Sequence, residues 1–263
     1  MTDPVLFDRR GAVGYITLNR PDAGNAIDVA LARGLLDAVI AAEADPAVRC
    51  VVLRGGGRMF CAGGDVKSLH AAGDAIPGLL REILAALHPA IARLATMAKP
   101  VVTAIHGPAA GAGVGLAAVG DIALAEPGAH FTMAYSRIGL TPDGGTTWLL
   151  PRLIGLRRAQ ELAIANRRVS ASEAADIGLI TRVTESGMLA SEVEAVAEGL
   201  ARAAIGALGM TKRLLLAGAG ASLEAQLDAE CDHIARQAES AERREGLAAF
   251  ADRREPDFEA IGE

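Results

Sequence analysis

Runs of apolar residues divide the first half of the chain into strand-like segments separated by segments of helical length. Positions 5–18 have the pattern of a β-hairpin that turns near Arg10-Gly11. A helix is predicted over 28–44, with Asp28 as its N-cap, and a strand follows over 48–53. A connection of this length between two strands favours a right-handed crossover onto a parallel sheet.

The βαβ pattern continues to about residue 143 and then changes to helices alone. Before the change, the predicted elements are a short helix (65–72), a mobile loop (71–78), a long helix (79–97), a strand (101–105), a helix (113–119) and two strands (121–125 and 129–132). After it, the predicted helices are 146–153, 156–165, 172–177, 191–204, 211–217, 223–238 and 241–253. This order predicts an α/β fold, which we divide into a core (1–200) and a helical C-terminal segment (201–263).

Composition and charge narrow the function classes. The 263 residues are 51% hydrophobic but only 3% aromatic, so a core of Ala, Val, Leu and Ile is expected. A net charge of −6 argues against nucleic acid as the main partner, because phosphate binding depends on clustered Lys and Arg. The N-terminus lacks the pattern of a signal peptide, and no apolar run free of glycine and charge reaches membrane-spanning length. We therefore expect neither secretion nor a membrane partner.

The cysteines and histidines favour neither a disulfide nor a metal site. Cys50, Cys61 and Cys231 are odd in number and lack the paired spacing of zinc ligands, which is typical of reduced residues in a cytoplasmic protein. The five histidines form no cluster with ligand spacing, so no metal is expected. Cys61 is interpreted as a small buried residue rather than a nucleophile, because no histidine accompanies it in a triad signature.

Two glycine-rich stretches, 59–67 and 106–115, carry the candidate chemistry. Each follows a β-branched apolar run and precedes a helical pattern, so each predicts a turn from a buried strand into a helix N-terminus. Such turns leave backbone N–H groups unpaired. Two of them side by side can direct two donors at one oxygen atom and so form an oxyanion hole, although each could also be only a tight connection.

The residue sequences of these two stretches resemble those of a known family. Phe60-Cys-Ala-Gly-Gly-Asp-Val-Lys67 and Gly111-Ala-Gly-Val-Gly-Leu116 are similar to the two oxyanion motifs of the crotonase (enoyl-CoA hydratase/isomerase) superfamily, and the resemblance extends from Leu18 to Phe250. It implies a crotonase (ClpP/crotonase-like) spiral of βαβ units with a helical C-terminal trimerisation segment, assembled as a homotrimer or a dimer of trimers. It also implies an acyl-CoA thioester as substrate, with coenzyme A as part of the substrate and no separate cofactor.

The resemblance assigns roles to individual positions. It implies that the N–H groups of Gly64 and Ala112 bind the thioester oxygen. The implied contacts with coenzyme A are Ala62, Gly64, Asp65, Val66 and Lys67, together with Phe250 and Arg253 of a neighbouring subunit. Other interpretations remain open: Asp65 as the cap of its helix, Lys67 as a solvated lysine, and Phe250 and Arg253 as part of an amphipathic helix with a solvated face.

The acid or base of the reaction is the deciding question. Hydratases of this family use two glutamates, whose positions are occupied here by Gly115 and Tyr135. Asp143 instead matches the aspartate of family isomerases, and its surroundings look most like the phenylacetate-pathway branch. A 1,3-proton shift needs one base, so one aspartate suffices. Asp143 as a helix N-cap is the less favoured alternative, and Tyr135 could orient the ligand or be a packed core residue.

Three functions follow from this resemblance, in order of preference. The first is an acyl-CoA isomerase that shifts a carbon–carbon double bond through an enolate, with Asp143 as the base. The second is an enoyl-CoA hydratase in which Asp143 and a bound water replace the absent glutamates. The third is a protein that binds CoA thioesters without turnover.

Overall fold

A computed structural model describes residues 3–262 of the chain. Its strands form a six-stranded sheet of order β1-β2-β3-β4-β6-β9 and a three-stranded sheet of order β5-β7-β8. The strands are β1 (Val5–Arg10), β2 (Val13–Leu18), β3 (Cys50–Gly55), β4 (Val101–Ile105), β5 (Ala109–Ala110), β6 (Ile122–Ala125), β7 (His130–Thr132), β8 (Val169–Ser170) and β9 (Arg182–Val183).

Helices surround both sheets and make up most of the C-terminal half. They are α1 (Val29–Ala44), α2 (Val66–Ala72), α3 (Ile76–Thr96), α4 (Ala112–Ala118), α5 (Thr146–Ile154), α6 (Leu156–Gln160), α7 (Ala171–Asp176), α8 (Leu189–Ala201), α9 (Ile205–Gly218), α10 (Leu223–Gln237) and α11 (Ala241–Asp252). The predicted hairpin, the predicted helix after Asp28 and the parallel sheet are confirmed, since β2, β3, β4 and β6 pair in parallel.

The large sheet is apolar on both faces because helices cover both. Val51 and Leu53 of β3 lie in the core that includes α1 and α3, whereas Cys50 and Val52 lie in the core that includes α8. Alternate residues of one strand therefore enter two different cores. This explains why β3 and β4 read as continuous apolar runs rather than as alternating patterns.

The helix expected over 156–165 is confirmed, and beyond Gln160 it continues as a π-helical turn (Glu161–Ala165). Two other expectations about secondary structure were wrong. The segment 71–78, expected to be a mobile loop, is helical: a 3₁₀ turn covers Gly73–Ala75 and α3 begins at Ile76. Pro77 fits there because proline is well accommodated in the first turn of a helix. The C-terminal half also contains β8 and β9, which are too short to show a strand period.

Among residues 3–262, one helical stretch, Val66–Thr96, is long and apolar enough by length and composition to cross a membrane. Its second part, α3, places one face in the protein core, including Ile83, Leu87 and Leu94, and packs against α1. We therefore interpret it as an amphipathic core helix.

The three last helices bury little. Within the described chain, α10 buries no residue and α9 buries only Gly209. Their exposed large apolar side chains are Leu215, Leu223, Leu227, Ile234, Leu247 and Phe250. The division of the chain at residue 200 and the assembly state stay predictions.

Candidate active site

The two glycine-rich loops lie against each other through their backbones. Cys61 N–H donates to the carbonyl of Pro108 at 3.2 Å, and Ala110 N–H donates to the carbonyl of Cys61 at 2.9 Å. Gly63 has a φ of +84°, and a Cβ there would lie 2.6 Å from the carbonyl oxygen of Ala110. Glycine is therefore required at position 63 both for its backbone conformation and for the close approach.

In the part of the chain that the structure describes, the amides of Gly64 and Ala112 are unpaired where these loops meet. Within residues 3–262, the amides of Gly64 and Ala112 donate to no acceptor, although the adjacent Asp65 and Gly111 amides donate to carbonyls at 3.0 Å. Ala112 is the first residue of α4, where an amide has no partner within the helix. Gly64 is exposed to solvent. The geometry supplies two donors that are free to bind a ligand atom.

Asp143 does not cap α5. Gly145 occupies the N-cap position, and no side chain caps this helix. The backbone carbonyl of Asp143 accepts from the Thr146 amide at 3.1 Å and from its hydroxyl at 2.8 Å. The carboxylate instead accepts a hydrogen bond from the Tyr135 hydroxyl, with 2.6 Å between Oη and Oδ1. The capping interpretation of Asp143 is therefore wrong.

The loop of Asp143 packs directly on the second glycine-rich loop. A Cβ at Gly144 would lie 3.0 Å from the Cβ of Ala112, and a Cβ at Gly111 would lie 3.8 Å from Cζ of Tyr135. Gly144, which follows Asp143, and the ring of Tyr135 thus pack against Ala112 and Gly111 at the start of α4. The loop that carries the Asp143 carboxylate therefore borders the second glycine-rich loop.

Position 115 has no room for a side chain. A Cβ built on Gly115 would overlap the carbonyl oxygen of Gly144 and approach Thr146. A glutamate at this position would require the backbone of 143–145 to move. The correspondence of position 115 to the first hydratase carboxylate stays a prediction, but the packing of the site leaves no space for such a side chain there.

Comparisons with known proteins bear on the family and the fold. The family model described as "Enoyl-CoA hydratase/isomerase" matches residues 8–261. The chain belongs to the enoyl-CoA hydratase/isomerase family. Its fold is the crotonase α/β fold with a helical C-terminal region, as shown by the crystal structure of an enoyl-CoA hydratase from Polaromonas sp. JS666, which has a TM-score of 0.91, 36% identity, and coverage of 96% of this chain and 98% of that one.

Relatives described with different activities have similar sequence identity to this chain. The chain is 39% identical to a 1,2-epoxyphenylacetyl-CoA isomerase of Escherichia coli (strain K12), over 98% of this chain and 99% of the relative. It is 37% identical to a probable enoyl-CoA hydratase of Rhodobacter capsulatus, over 97% of each chain. The family is settled by these matches, and the reaction is not.

The positions implied to bind coenzyme A occupy two regions. Ala62 is half-buried in the first glycine-rich loop, and Val66 and Lys67 are exposed on α2, which begins beside Gly64. Phe250, 84% exposed, lies on α11, and Arg253 ends that helix in a left-handed conformation. Their contact with coenzyme A stays a prediction.

Asp65 has a clear structural role next to the free amide of Gly64. Its Oδ1 accepts from the Ser68 amide at 3.2 Å, so it caps α2, and its Oδ2 accepts from Arg20 at 3.1 Å. Burial opposes ionisation of Asp65, but the hydrogen bonds from Ser68 and Arg20 outweigh it and lower its pKa. Arg20 also pairs with Asp28 at 3.2 Å and thereby ties the cap of α1 to the cap of α2.

Cys61 is placed where nucleophilic chemistry is not available to it. Its side chain is fully buried, and burial raises the pKa of the thiol to about 12. Across the described range 3–262, no group of three or more His, Cys, Asp or Glu side chains could hold a metal ion.

Two residues of the site escaped the sequence analysis. The side chain of Asn25, which is fully buried, donates to the carbonyls of Gly56 and Met59 and so anchors the first loop. Asn166 accepts from the Ala134 amide at 2.6 Å, next to Tyr135. Both asparagines have positive φ. The only sequence signal was the presence of asparagine, a residue that tolerates this conformation, in turn-rich segments.

Proposed function

We propose that this protein is an acyl-CoA isomerase that moves a carbon–carbon double bond in an enoyl-CoA thioester through an enolate. One observation carries the proposal: Asp143 does not cap a helix, its carboxylate is held by the Tyr135 hydroxyl, and its loop packs against Ala112, whose amide is free within the described chain. A site with one carboxylate and two free backbone donors suits a reaction that needs one base and one stabilised oxyanion.

The proposed mechanism uses only groups of this chain. The amides of Gly64 and Ala112 bind the thioester oxygen. The Asp143 carboxylate takes a proton from the carbon between the thioester carbonyl and the double bond. The electron pair of that C–H bond forms a double bond to the carbonyl carbon, and the carbonyl π electrons move onto the oxygen to give the enolate. The double bond re-forms one position along the chain when the protonated Asp143 returns the proton to the far end of the system. Donors of this kind contribute roughly 3–4 kcal/mol each to the stability of such an oxyanion.

Hydration is the alternative supported by relatives described as probable enoyl-CoA hydratases. It needs groups that orient a water molecule and move its proton. The overlap at Gly115 and the tyrosine at position 135 argue against it, because neither family glutamate has a counterpart here. The similarity to a 1,2-epoxyphenylacetyl-CoA isomerase supports a ring-derived acyl-CoA as the substrate, in keeping with the phenylacetate-pathway resemblance.

We also propose how coenzyme A is held, where the protein acts and how it assembles. Coenzyme A is part of the substrate, held by Ala62, Gly64 and residues 65–67, with Phe250 and Arg253 supplied by a neighbouring subunit. No separate cofactor takes part. The protein acts in the cytoplasm as a homotrimer or a dimer of trimers, and the exposed apolar side chains of the last three helices support such an assembly.

The test follows 3-enoyl-CoA and 2-enoyl-CoA separately by absorbance and mass spectrometry. We expect wild type to convert the 3-enoyl to the 2-enoyl thioester without a gain of one water mass. Asp143→Asn should lose roughly 100- to 10,000-fold in kcat, the usual contribution of a general base. Asp37→Asn, a change at an exposed aspartate of α1, should be as active as wild type.

Other results would select another function. A gain of one water mass would identify a hydratase. Stoichiometric binding of unsaturated thioesters without any spectral change would identify a binding protein. Full activity in Asp143→Asn would remove Asp143 from the reaction.

A further inference from the structure

The hydroxyl of Tyr135 is committed to Asp143. It donates to Oδ1 at 2.6 Å, whereas Oδ2 accepts no hydrogen bond from the described residues 3–262. No Lys, Arg or His in that range pairs with this carboxylate at ion-pair distance. A phenol has one proton to donate, so the hydroxyl of Tyr135 cannot donate to a ligand while it donates to Asp143.

We propose that Tyr135 is a positioning residue for Asp143, holding one carboxylate oxygen so that the other faces the substrate as the base. This inference rests on the proposed function, because it assigns a device to the same carboxylate. It changes the role expected for Tyr135 from orienting the ligand to orienting the base.

The carboxylate needs such a restraint because its loop is rich in glycine. Gly139, Gly144 and Gly145 all have positive φ, between 59° and 73°, and they flank a segment with little regular structure. Asp143 itself is only half-buried. A hydrogen bond to an ionised group is stronger than a neutral one and has a defined direction. The bond from Tyr135 therefore limits the orientations open to an otherwise weakly held side chain.

Tyr135 is itself well fixed. Its side chain is 8% exposed, and its backbone carbonyl accepts from the Leu140 amide at 3.1 Å. The preceding Ala134 has a φ of +62° and donates its amide to Asn166 Oδ1 at 2.6 Å. A left-handed alanine is uncommon and is retained only where its surroundings hold it. The anchoring by Asn166 thus sets the direction from which Tyr135 reaches Asp143.

The state of the phenol suits this role. Burial, and then the negative charge of Asp143, raise the pKa of Tyr135 above its ordinary value. The hydroxyl therefore stays protonated and remains a donor over the whole range in which the enzyme would work.

The test compares wild type, Tyr135→Phe, Asp143→Asn and the double variant. Tyr135→Phe should lower kcat by roughly 10- to 100-fold, the factor that matches the loss of one hydrogen bond to a charged group, with KM changed less than about twofold. The acid limb of its kcat profile should move to higher pH, because the ionised carboxylate loses a donor. The double variant should be no slower than Asp143→Asn, since a residue that acts through another adds nothing once the other is removed.

Tyr15→Phe is the matched control. The chain has two tyrosines, and Tyr15 is equally buried but lies in the core on the α8 side of the large sheet. We expect its pH profile to equal that of wild type. In the Tyr15→Phe background, replacement of tyrosine by 3-fluorotyrosine leaves Tyr135 as the only labelled residue and preserves its shape. The more acidic phenol should move the acid limb to lower pH, opposite to Tyr135→Phe, which keeps the test valid if the phenylalanine variant folds poorly.

The outcomes separate this inference from the proposed function. An unchanged pH profile in both the Phe and fluorotyrosine proteins would overturn the positioning role while leaving Asp143 as the base. A further loss of saturated acyl-CoA affinity in the double variant relative to Asp143→Asn would show that Tyr135 contacts the ligand and would also overturn it. Wild-type activity in Asp143→Asn would instead reject the proposed function.

Discussion

The glycine-rich loops and the C-terminal helices differ in the kind of group that they leave exposed. Around Gly63 and Ala112 the two loops hydrogen-bond to each other, and the amides of Gly64 and Ala112 are left without an acceptor among residues 3–262. In α9 to α11 apolar side chains remain exposed over three consecutive helices. The first region exposes backbone donors that suit a polar ligand atom, whereas the second exposes apolar surface that suits another protein surface.

After the loss expected for Asp143→Asn, the next largest effect comes from the removal of one free amide. Ala112→Pro deletes the N–H at the first position of α4, where proline is compatible with a helix. We expect kcat to fall roughly 100- to 1,000-fold, the loss typical of one oxyanion donor, while thermal unfolding changes little. Ala241→Pro, at the first position of α11, is the matched control and should retain activity. Equal loss in both variants would contradict a specific role for the Ala112 amide.

A smaller effect tests the lack of space for a side chain at position 115. Gly115→Ala places a Cβ against the carbonyl of Gly144, so we expect a loss of about 1–3 kcal/mol in the free energy of unfolding, measured with denaturant. Gly128→Ala is a suitable control, because a Cβ there meets nothing within 4 Å and its φ is not left-handed. If Gly115→Ala were as stable as Gly128→Ala, the packing of 143–145 on α4 would be looser than described.

A pH-dependent effect concerns the cap beside Gly64. The pKa of Asp65 is lowered in the folded protein, so its charge stabilises the fold above the ordinary aspartate range and this contribution is lost as the pH falls through the lowered value. Asp65→Asn keeps a capping side chain and removes the charge, and we expect it to cost about 1 kcal/mol at pH 7. Unfolding curves at pH 7, 5, 4 and 3 should show this difference shrinking toward acid. A constant difference would argue against a role for the charge.

The smallest effect on a single chain belongs to the C-terminal helices. Leu227→Gln and Ile234→Gln change side chains that are 53% and 73% exposed, so we expect the free energy of unfolding of a monomer to change by less than about 0.5 kcal/mol. The same variants should shift sedimentation toward smaller species if these helices form an interface. An unchanged assembly would place the interface elsewhere or show that none exists.

The sequence predicted the parts of this fold that have a local cause. Asp28 and Asp65 were recognised as caps because the capping residue and its helix are adjacent in sequence. The hydrogen bond from Tyr135 to Asp143 was missed. The alternative role considered for Asp143, the N-cap of α5, belongs to Gly145. Both depend on how a glycine-rich turn folds back, which residue types alone do not determine.

The difference between local and long-range causes also explains the wrong prediction of a loop over 71–78 and the failure to foresee the lack of space at Gly115. Pro77-Gly78 suggested a break, but a proline in the first turn begins a helix as readily as it ends one. Gly115 was interpreted as standing where hydratases have a glutamate, and this stays a prediction; the lack of room at position 115 comes from Gly144, a contact across 29 positions of sequence. Pairings of this kind become visible only when the elements are packed.

The contact between Gly115 and Gly144 also constrains the order in which this site could change its chemistry. A glutamate introduced at 115 meets a backbone oxygen and is harmful on its own, whereas a shift of 143–145 alone would displace the candidate base. On the proposed function, two changes that are each unfavourable must therefore occur together before a glutamate at 115 can take part in water addition. For laboratory evolution toward a hydratase, libraries that vary position 115 and the 143–145 backbone jointly should succeed where single-site saturation fails.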